Sequence, residues 1–265
     1  LIELIDKNRE KNDNEVVITS ILVRNKEKHK NCSHYEVITT DSEELFSKES
    51  DIVIEVMGGI HPAYEYVKRA LTLKKHVITA NKDLIATFGQ ELFNIAKENS
   101  VSLKFEAAVA GGIPIIKALT ESLCGNKVNA IKAILNGTTN FILTKMGSEK
   151  LSYDEALKEA QKLGFAEANP EADVEGYDAA RKLAILSSLA FDKSFKWKDI
   201  NINGITEIDS NDFKYAKKFN CKIKLVAEAV KCRNKIYTSV KPVLVDEDSI
   251  LAKIDNEVNG VILNG

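Results

Sequence analysis

Residues 51–84 read DIVIEVMGGIHPAYEYVKRALTLKKHVITANKDL. DIVIEVM is a β-branched run of strand length that reads as a buried strand, and Gly58-Gly59 closes it. Pro62 opens an amphipathic helix carrying Tyr66, Val67, Ala70 and Leu71. HVIT, residues 76–79, is the next strand, and a helix is expected over 83–99. The alternation extends outward in both directions. EVVITSILV (15–23) reads as a strand buried on both faces, and residues 35–39 as a short strand. Asp41, Ser42 and Glu44 start a short helix through Phe46, and VSLKFEA (101–107) is a further strand. This spacing predicts an α/β fold with a doubly wound parallel sheet. Such sheets take ligands at the carboxyl ends of their strands.

Three of those strand ends carry chemistry. Arg24 follows the first strand, where a dinucleotide-binding sheet places an acid for a ribose hydroxyl or an arginine for a 2′-phosphate. The arginine leans toward NADP, and a solvated surface arginine fits the position equally well. Gly58 and Gly59 allow a backbone to approach a ligand, or form a plain turn. Lys82, after HVIT, can meet a phosphate, a nicotinamide amide or a substrate oxygen, or remain solvated. Residues 1–11 read as the tail of a helix, and no GxGxxG fingerprint is present. The expectation is that the first strand and glycine turn lie before Leu1, and that the end at Gly265 is cut as well.

From residue 108 the pattern changes. VAGGIP (109–114) is a tight loop leading into a helix over 115–123. A strand over 128–135 ends at Asn136-Gly137, and Thr138 or Thr139 can cap a helix over 140–146. SYDE (152–155) is a capping box for a helix with Ala156, Leu157, Ala160 and Leu163 inward, stopped by Gly164. A long helix is expected over 175–191, a short strand over 205–208 and a helix over 212–219. Residues 222–231 and 236–245 form an antiparallel hairpin about Arg233-Asn234-Lys235. The predicted division is a parallel nucleotide-binding domain at 1–107 and a mixed α+β domain at 108–265.

The chain has 265 residues, 44% hydrophobic and 29% charged, with a net charge of −2, and is large enough for two domains. That balance points to neither nucleic acid nor a membrane surface, and no apolar run reaches the ~18 residues of a spanning helix. Cys32, Cys124, Cys221 and Cys232 form no CxxC pair and read as free thiols in a reducing cytoplasm.

GFAEANPEADVEGYDAARK (164–182) gathers Glu167, Glu171, Asp173, Glu175 and Asp178 before Lys182. Asp178 and Lys182, four apart, share a helix face. The acids suit a substrate with a cationic amine, and the lysine suits proton exchange at its other end. An acidic loop with a surface salt bridge is the plain alternative.

Five stretches taken together resemble homoserine dehydrogenase: EVMGG (55–59), ITANKDL (78–84), FEAAVAGGIPII (105–116), ILNGTTNFIL (134–143) and GFAEANPEADVEGYDAARKL (164–183). The resemblance covers residues 16–191, in order. It implies a Rossmann-like nucleotide domain followed by a catalytic and dimerisation domain. It further implies NAD(P)-dependent, reversible conversion of L-homoserine to L-aspartate 4-semialdehyde, on the route to threonine and methionine. By this resemblance Lys182 exchanges the proton at the substrate oxygen, Asp178 is its catalytic neighbour, and Glu167 and Asp173 bind substrate. It also sets Lys82 at the cofactor and substrate junction and Gly164 near the nicotinamide, while Arg24 and Gly58 are cofactor candidates by their strand-end positions. Glu106, Val109, Gly111 and Ile113 match a monovalent cation site, for sodium or potassium. The resemblance also implies a homo-oligomer, dimer or tetramer, joined through the second domain, and the 222–245 hairpin with the 114–123 helix is the candidate face. Two other readings compete: a non-catalytic paralogue or fragment that binds a ligand or partner, and a dehydrogenase of similar plan acting on a related semialdehyde.

Overall fold

The computed structural model describes residues 1–9 and 16–265. Lys11 and Glu15, at the ends of an expected helix and strand, lie outside the described residues. The chain opens with α1 (Ile2–Arg9). β1 (Ile21–Leu22) pairs in parallel with β2 (Ile38–Thr39), and α2 (Ser42–Ser47) follows, capped by Asp41. β3 (Ile52–Glu55), β4 (His76–Thr79) and β5 (Leu103–Lys104) form a second parallel sheet in that order. α3 (Ala63–Thr72) links β3 to β4, and α4 (Lys82–Glu98) links β4 to β5. The parallel α/β architecture is therefore as the alternation predicts.

β4 matches its HVIT run, but β1, β2, β3 and β5 are shorter than theirs. The 15–23 run contributes two residues to a ladder, and 51–57 contributes four. Residues Tyr35–Val37 wind into a 3-10 turn before β2, and Glu106–Ala108 does the same after β5. Strand geometry persists only where a neighbour supplies hydrogen bonds, and among the described residues β1 and β3 each have one neighbour. Burial on both faces also fails. α3 packs on β3 and β4, burying Glu55, Val77 and Thr79, while the alternate residues Ile52, Ile54 and Ile78 are exposed, as are Val16 and Val17.

The second half is a five-stranded sheet in the order β10-β6-β8-β9-β7. Its strands are β6 (Ala130–Ile134), β7 (Asn201–Ile202), β8 (Cys221–Cys232), β9 (Lys235–Asp246) and β10 (Gly260–Asn264). β8 and β9 form the expected hairpin, with Cys232 opposite Lys235 and Arg233 left-handed at φ +54° in the turn. The short strand expected at 205–208 is a turn, because the Ile205 N–H is drawn to Val174 O at 2.8 Å. The pairing is made by β7 instead, parallel to Ser239 and Val240.

The helices of this half are α5 (Ile115–Lys117), α6 (Gly137–Ser148), α7 (Tyr153–Lys162), α8 (Glu171–Val174), α9 (Tyr177–Phe191) and α10 (Ser210–Lys218). α5 widens into a π turn over Ala118–Ser122 instead of running on regularly. α7 carries the predicted capping box of Ser152 and Glu155. Ala156 and Ala160 are buried, but Leu163 is 54% exposed, because it lies past the end of the helix. α9 starts two residues later than expected. Gly176, at φ +81°, separates it from α8, and a Cβ there would meet Ile202 and Val240 methyls at 3.2 Å. α6 and α9 both pack against β8, with Ile131, Ile142, Leu183, Leu186 and Leu225 in the core between them.

A lysine is also buried in this core. Lys224 on β8 is 1% exposed. Its ammonium donates to Asn140 Oδ1 at 3.0 Å, Ile254 O at 2.6 Å and Asp255 Oδ1 at 2.8 Å. All three hydrogens are thus directed to oxygens. Asn140 Nδ2 in turn donates to Ile254 O and Val258 O. Burial pulls the Lys224 ammonium below its usual value, against the opposing pull of Asp255. The four cysteines are free thiols, and among the described residues no helix is long and apolar enough to cross a membrane.

Candidate active site

The site is built where the start of α4, at the carboxyl end of β4, meets the starts of α6 and α9. Asn81 caps α4 by accepting from Leu84 N at 3.0 Å, and its Nδ2 donates to Gly59 O. Glu55, buried at the end of β3, accepts from Thr79 Oγ1, Met57 N and Gly58 N. These bonds fix the Gly58-Gly59 turn, both residues at positive φ, with nothing within 4 Å of a Cβ built at either. The turn is an open backbone cradle beside the first turn of α4.

Lys82, the first residue of α4, reaches Asp178 Oδ1 at 2.6 Å. Asp178, in the first turn of α9, is 2% exposed. Lys182, one turn on, donates to Asp178 Oδ2 at 2.7 Å and to Leu135 O at 2.8 Å. Burial pushes the Asp178 carboxyl up, but Lys182, Lys82 and the Asn136 hydrogen bond together hold it below the usual carboxylate range. The helix N-terminus favours the same charge. Lys82 is shifted up: burial lowers it, and the charge and hydrogen bond of Asp178 more than compensate.

Asp173 stands beside this pair. Asn136 Nδ2 donates to it at 2.7 Å and to Asp178 at 2.9 Å. Burial and the neighbouring Asp178 raise the Asp173 carboxyl, against the Asn136 hydrogen bond and the two lysines. Thr138 Oγ1 donates to Phe165 O at 2.5 Å and lies 3.3 Å from Asp173 Oδ2. Asn136 is also the cap of α6, accepting from Thr139 N at 2.8 Å, so the cap is neither threonine. One turn beyond Asp178, Arg181 Nε meets Asp83 at 3.2 Å and its guanidinium stacks on Trp197.

The structure thus brings Lys82, Asp173, Asp178 and Lys182 together. Glu167 and Gly164 are exposed on the loop leading to α8, and the Glu167 contact found is Gln161 Nε2 on its backbone oxygen. Arg24 is exposed just past β1. Glu106 accepts from Ile116 N and Lys117 N at the start of α5. It borders a turn in which Ala110 and Gly111 are both left-handed. Among the described residues no cluster of three or more His, Cys, Asp or Glu could hold a metal. A cation at residues 106–113 would therefore rest on one carboxylate and backbone oxygens. Asn136, Thr138, Glu55 and Asn81 escape the sequence reading. The Asn-Gly-Thr-Thr cap pattern at 136–139 is the one signal that points to the first.

Family models match both halves of this layout: "Homoserine dehydrogenase, NAD binding domain" over residues 1–106 and "Homoserine dehydrogenase" over 114–265. The homoserine dehydrogenase of Bacillus subtilis is 45% identical over 252 residues, which are 94% of this chain and 58% of that protein. That of Synechocystis is 44% identical over 87% of this chain and 54% of its own length. Among solved structures, a homoserine dehydrogenase from Thiobacillus denitrificans superposes with a TM-score of 0.94 at 40% identity, covering all of this chain and 62% of that one. A hyperthermophilic archaeal homoserine dehydrogenase in complex with NADPH gives 0.74 at 34% identity, over 88% of this chain and 68% of that one. The chain spans just over half the length of the curated relatives it matches. On the two family models and these identities, the chain belongs to the homoserine dehydrogenase family.

Proposed function

We propose that the protein interconverts L-homoserine and L-aspartate 4-semialdehyde reversibly with a nicotinamide cofactor. The observation that carries this reading is Lys182 held between Asp178 and Leu135 O, with Asp173 beside them on Asn136. An ammonium has three hydrogens. Two are directed to these oxygens, and the third is left for a substrate oxygen. The nicotinamide, when bound, supplies or takes up the hydride. As the aldehyde becomes the alcohol, negative charge grows on its oxygen, and Lys182 stabilises that charge and passes it a proton. In the reverse direction the neutral lysine takes the hydroxyl proton. Lys82, on the other oxygen of Asp178, relays the proton toward the cleft mouth. Asp173 and Glu167 receive the substrate ammonium, which selects an amino acid over a simple aldehyde.

The cofactor fits the open cradle at Gly58-Gly59, with Arg24 beyond β1 suited to a 2′-phosphate and hence to NADP, and Gly164 near the nicotinamide. The archaeal neighbour with NADPH supports that preference. A sodium or potassium ion is assigned to the Glu106 carboxylate and the backbone oxygens of Val109, Gly111 and Ile113, the oxygen donors a hard cation prefers. The chain divides at 107/108, and copies associate through β8–β9 and the α5 region as a dimer or tetramer in the cytoplasm. The test is turnover of the complete protein with homoserine and with NAD or NADP in turn. Absence of homoserine-dependent reduction with both cofactors overturns the reading.

A further inference from the structure

Asn136 has one side-chain amide, and both ends of it are used. Its Oδ1 accepts from Thr139 N at 2.8 Å and from Thr139 Oγ1 at 2.9 Å, which caps α6. Its Nδ2 has two hydrogens, and each has a different carboxylate within reach: Asp173 Oδ1 at 2.7 Å and Asp178 Oδ2 at 2.9 Å. The residue is 5% exposed, so water does not replace either bond at little cost.

The two aspartates differ in what else they meet. Asp178 is engaged by Lys82 and by Lys182. Among the described residues no Lys, Arg or His stands within ion-pair distance of Asp173. Two carboxylates beside the same pair of lysines would ordinarily compete for them or share a proton. A neutral donor between them removes both outcomes.

We propose that Asn136 is a positioning residue that keeps these carboxylates in separate roles, with Asp178 committed to the lysines and Asp173 left open to a ligand ammonium. What Asp173 receives rests on the functional reading above. The division of labour within Asn136 is independent of it. At an ordinary helix cap asparagine and aspartate serve about equally well. Here only asparagine can cap α6 and also donate to two acids.

Asn136→Asp separates the two duties, because it keeps the capping oxygen and the side-chain shape but turns Nδ2 into an acceptor. The complete protein carrying it is compared with wild type in two measurements. The first is kcat and KM for homoserine as a function of pH, because a proton shared among carboxylates is lost as pH rises. KM is expected to rise about tenfold at the alkaline end, with a smaller change in kcat, and to recover as pH falls, because a proton then replaces an Nδ2 hydrogen. The second is the titration of the Asp173 carboxyl in ligand-free protein, followed by carbon-13 NMR, with Asp178, Lys82 and Lys182 as the charged groups facing it. Its midpoint is expected to move upward. An Asn136→Asp protein with wild-type KM at all pH values and an unmoved Asp173 midpoint overturns the proposal and leaves Asn136 a cap only. If wild type itself does not turn over homoserine, the functional reading fails, and the carboxyl titration still decides the role of Asn136.

Discussion

Asp83 and Arg181 meet at 3.2 Å, one helical turn beyond the 2.6 Å contact of Lys82 with Asp178. Consecutive residues of α4 are thereby fastened to residues three apart on α9, and the parallel half is stapled to the mixed half at the Lys82–Asp178–Lys182 cluster itself. Arg181→Met breaks the outer staple and leaves the inner one. The pair is partly buried and the guanidinium stacks on Trp197, so a loss of about 1 kcal/mol is expected. Chemical denaturation of both proteins measures it, and an unchanged midpoint would show that the outer staple contributes nothing.

Lys182→Met keeps the length of the side chain and removes the proton. In the complete protein kcat should fall by roughly 10²- to 10⁴-fold, the usual contribution of a positioned acid–base group. Circular dichroism should remain that of wild type. Turnover at the wild-type rate would remove Lys182 from the chemistry.

Asp178 gives the fold a defined response to acid. Its carboxyl is held below the usual range in the folded protein, so the unfolded chain takes up the proton first as pH falls. The stability it contributes is present above the unfolded value near 3.9 and is lost as pH drops toward the folded one. Asp178→Asn leaves Lys82 and Lys182 without their shared anion, at a cost of about 3 kcal/mol at neutral pH. Urea unfolding across the acid range checks both statements: wild type should lose stability faster than the variant as pH drops below about 4.

Asp173 has the opposite sign. Its carboxyl is raised in the folded state, so ionising it costs the native protein stability as pH climbs through the folded value. Asp173→Asn should therefore stabilise the ligand-free protein at neutral pH, by only ~0.5 kcal/mol because solvent screens a half-exposed group. The same change should raise KM for homoserine about tenfold or more, through the lost charge. A variant that is less stable, or that binds substrate normally, would contradict this account.

Gly176→Ala tests the joint between α8 and α9. The residue is left-handed, and a methyl group there meets Ile202 and Val240 at 3.2 Å. Backbone strain and overpacking together predict about 2–3 kcal/mol of destabilisation, read by thermal unfolding. Lost activity should accompany it, since the start of α9 positions Asp178.

Much of this was legible from the residues alone. The strand–helix alternation of 51–107, the SYDE cap and the 222–245 hairpin are local signals, each carried by periodicity or by a few turn residues. The 178/182 pairing follows from helix geometry. Strand lengths were not legible, because a ladder ends where its neighbour ends, and Val16 or Ile54 cannot report that. Asn136 was hidden for a related reason. Its significance lies in two aspartates about 40 residues away, brought near by the packing of α6, α8 and α9, a separation that no local pattern encodes. Glu167 shows the converse: the resemblance marks it as a substrate ligand, a role that its exposed place on the loop before α8 does not by itself signal.

The Lys224 ammonium has a consequence for assembly of the fold. Its oxygen partners at 254 and 255 come near the end of the sequence, and the same turn holds Asn140 on the helix that begins with Gly137. During synthesis β8 emerges first, carrying a cation whose earlier partner is the neutral Asn140 Oδ1, while Ile254 O and the Asp255 carboxylate follow some 30 residues later. Closure of the core is thereby tied to arrival of residues 254 and 255, so a polypeptide halted before residue 254 retains an ammonium that resists desolvation and an Asn140 on α6 without its two backbone acceptors.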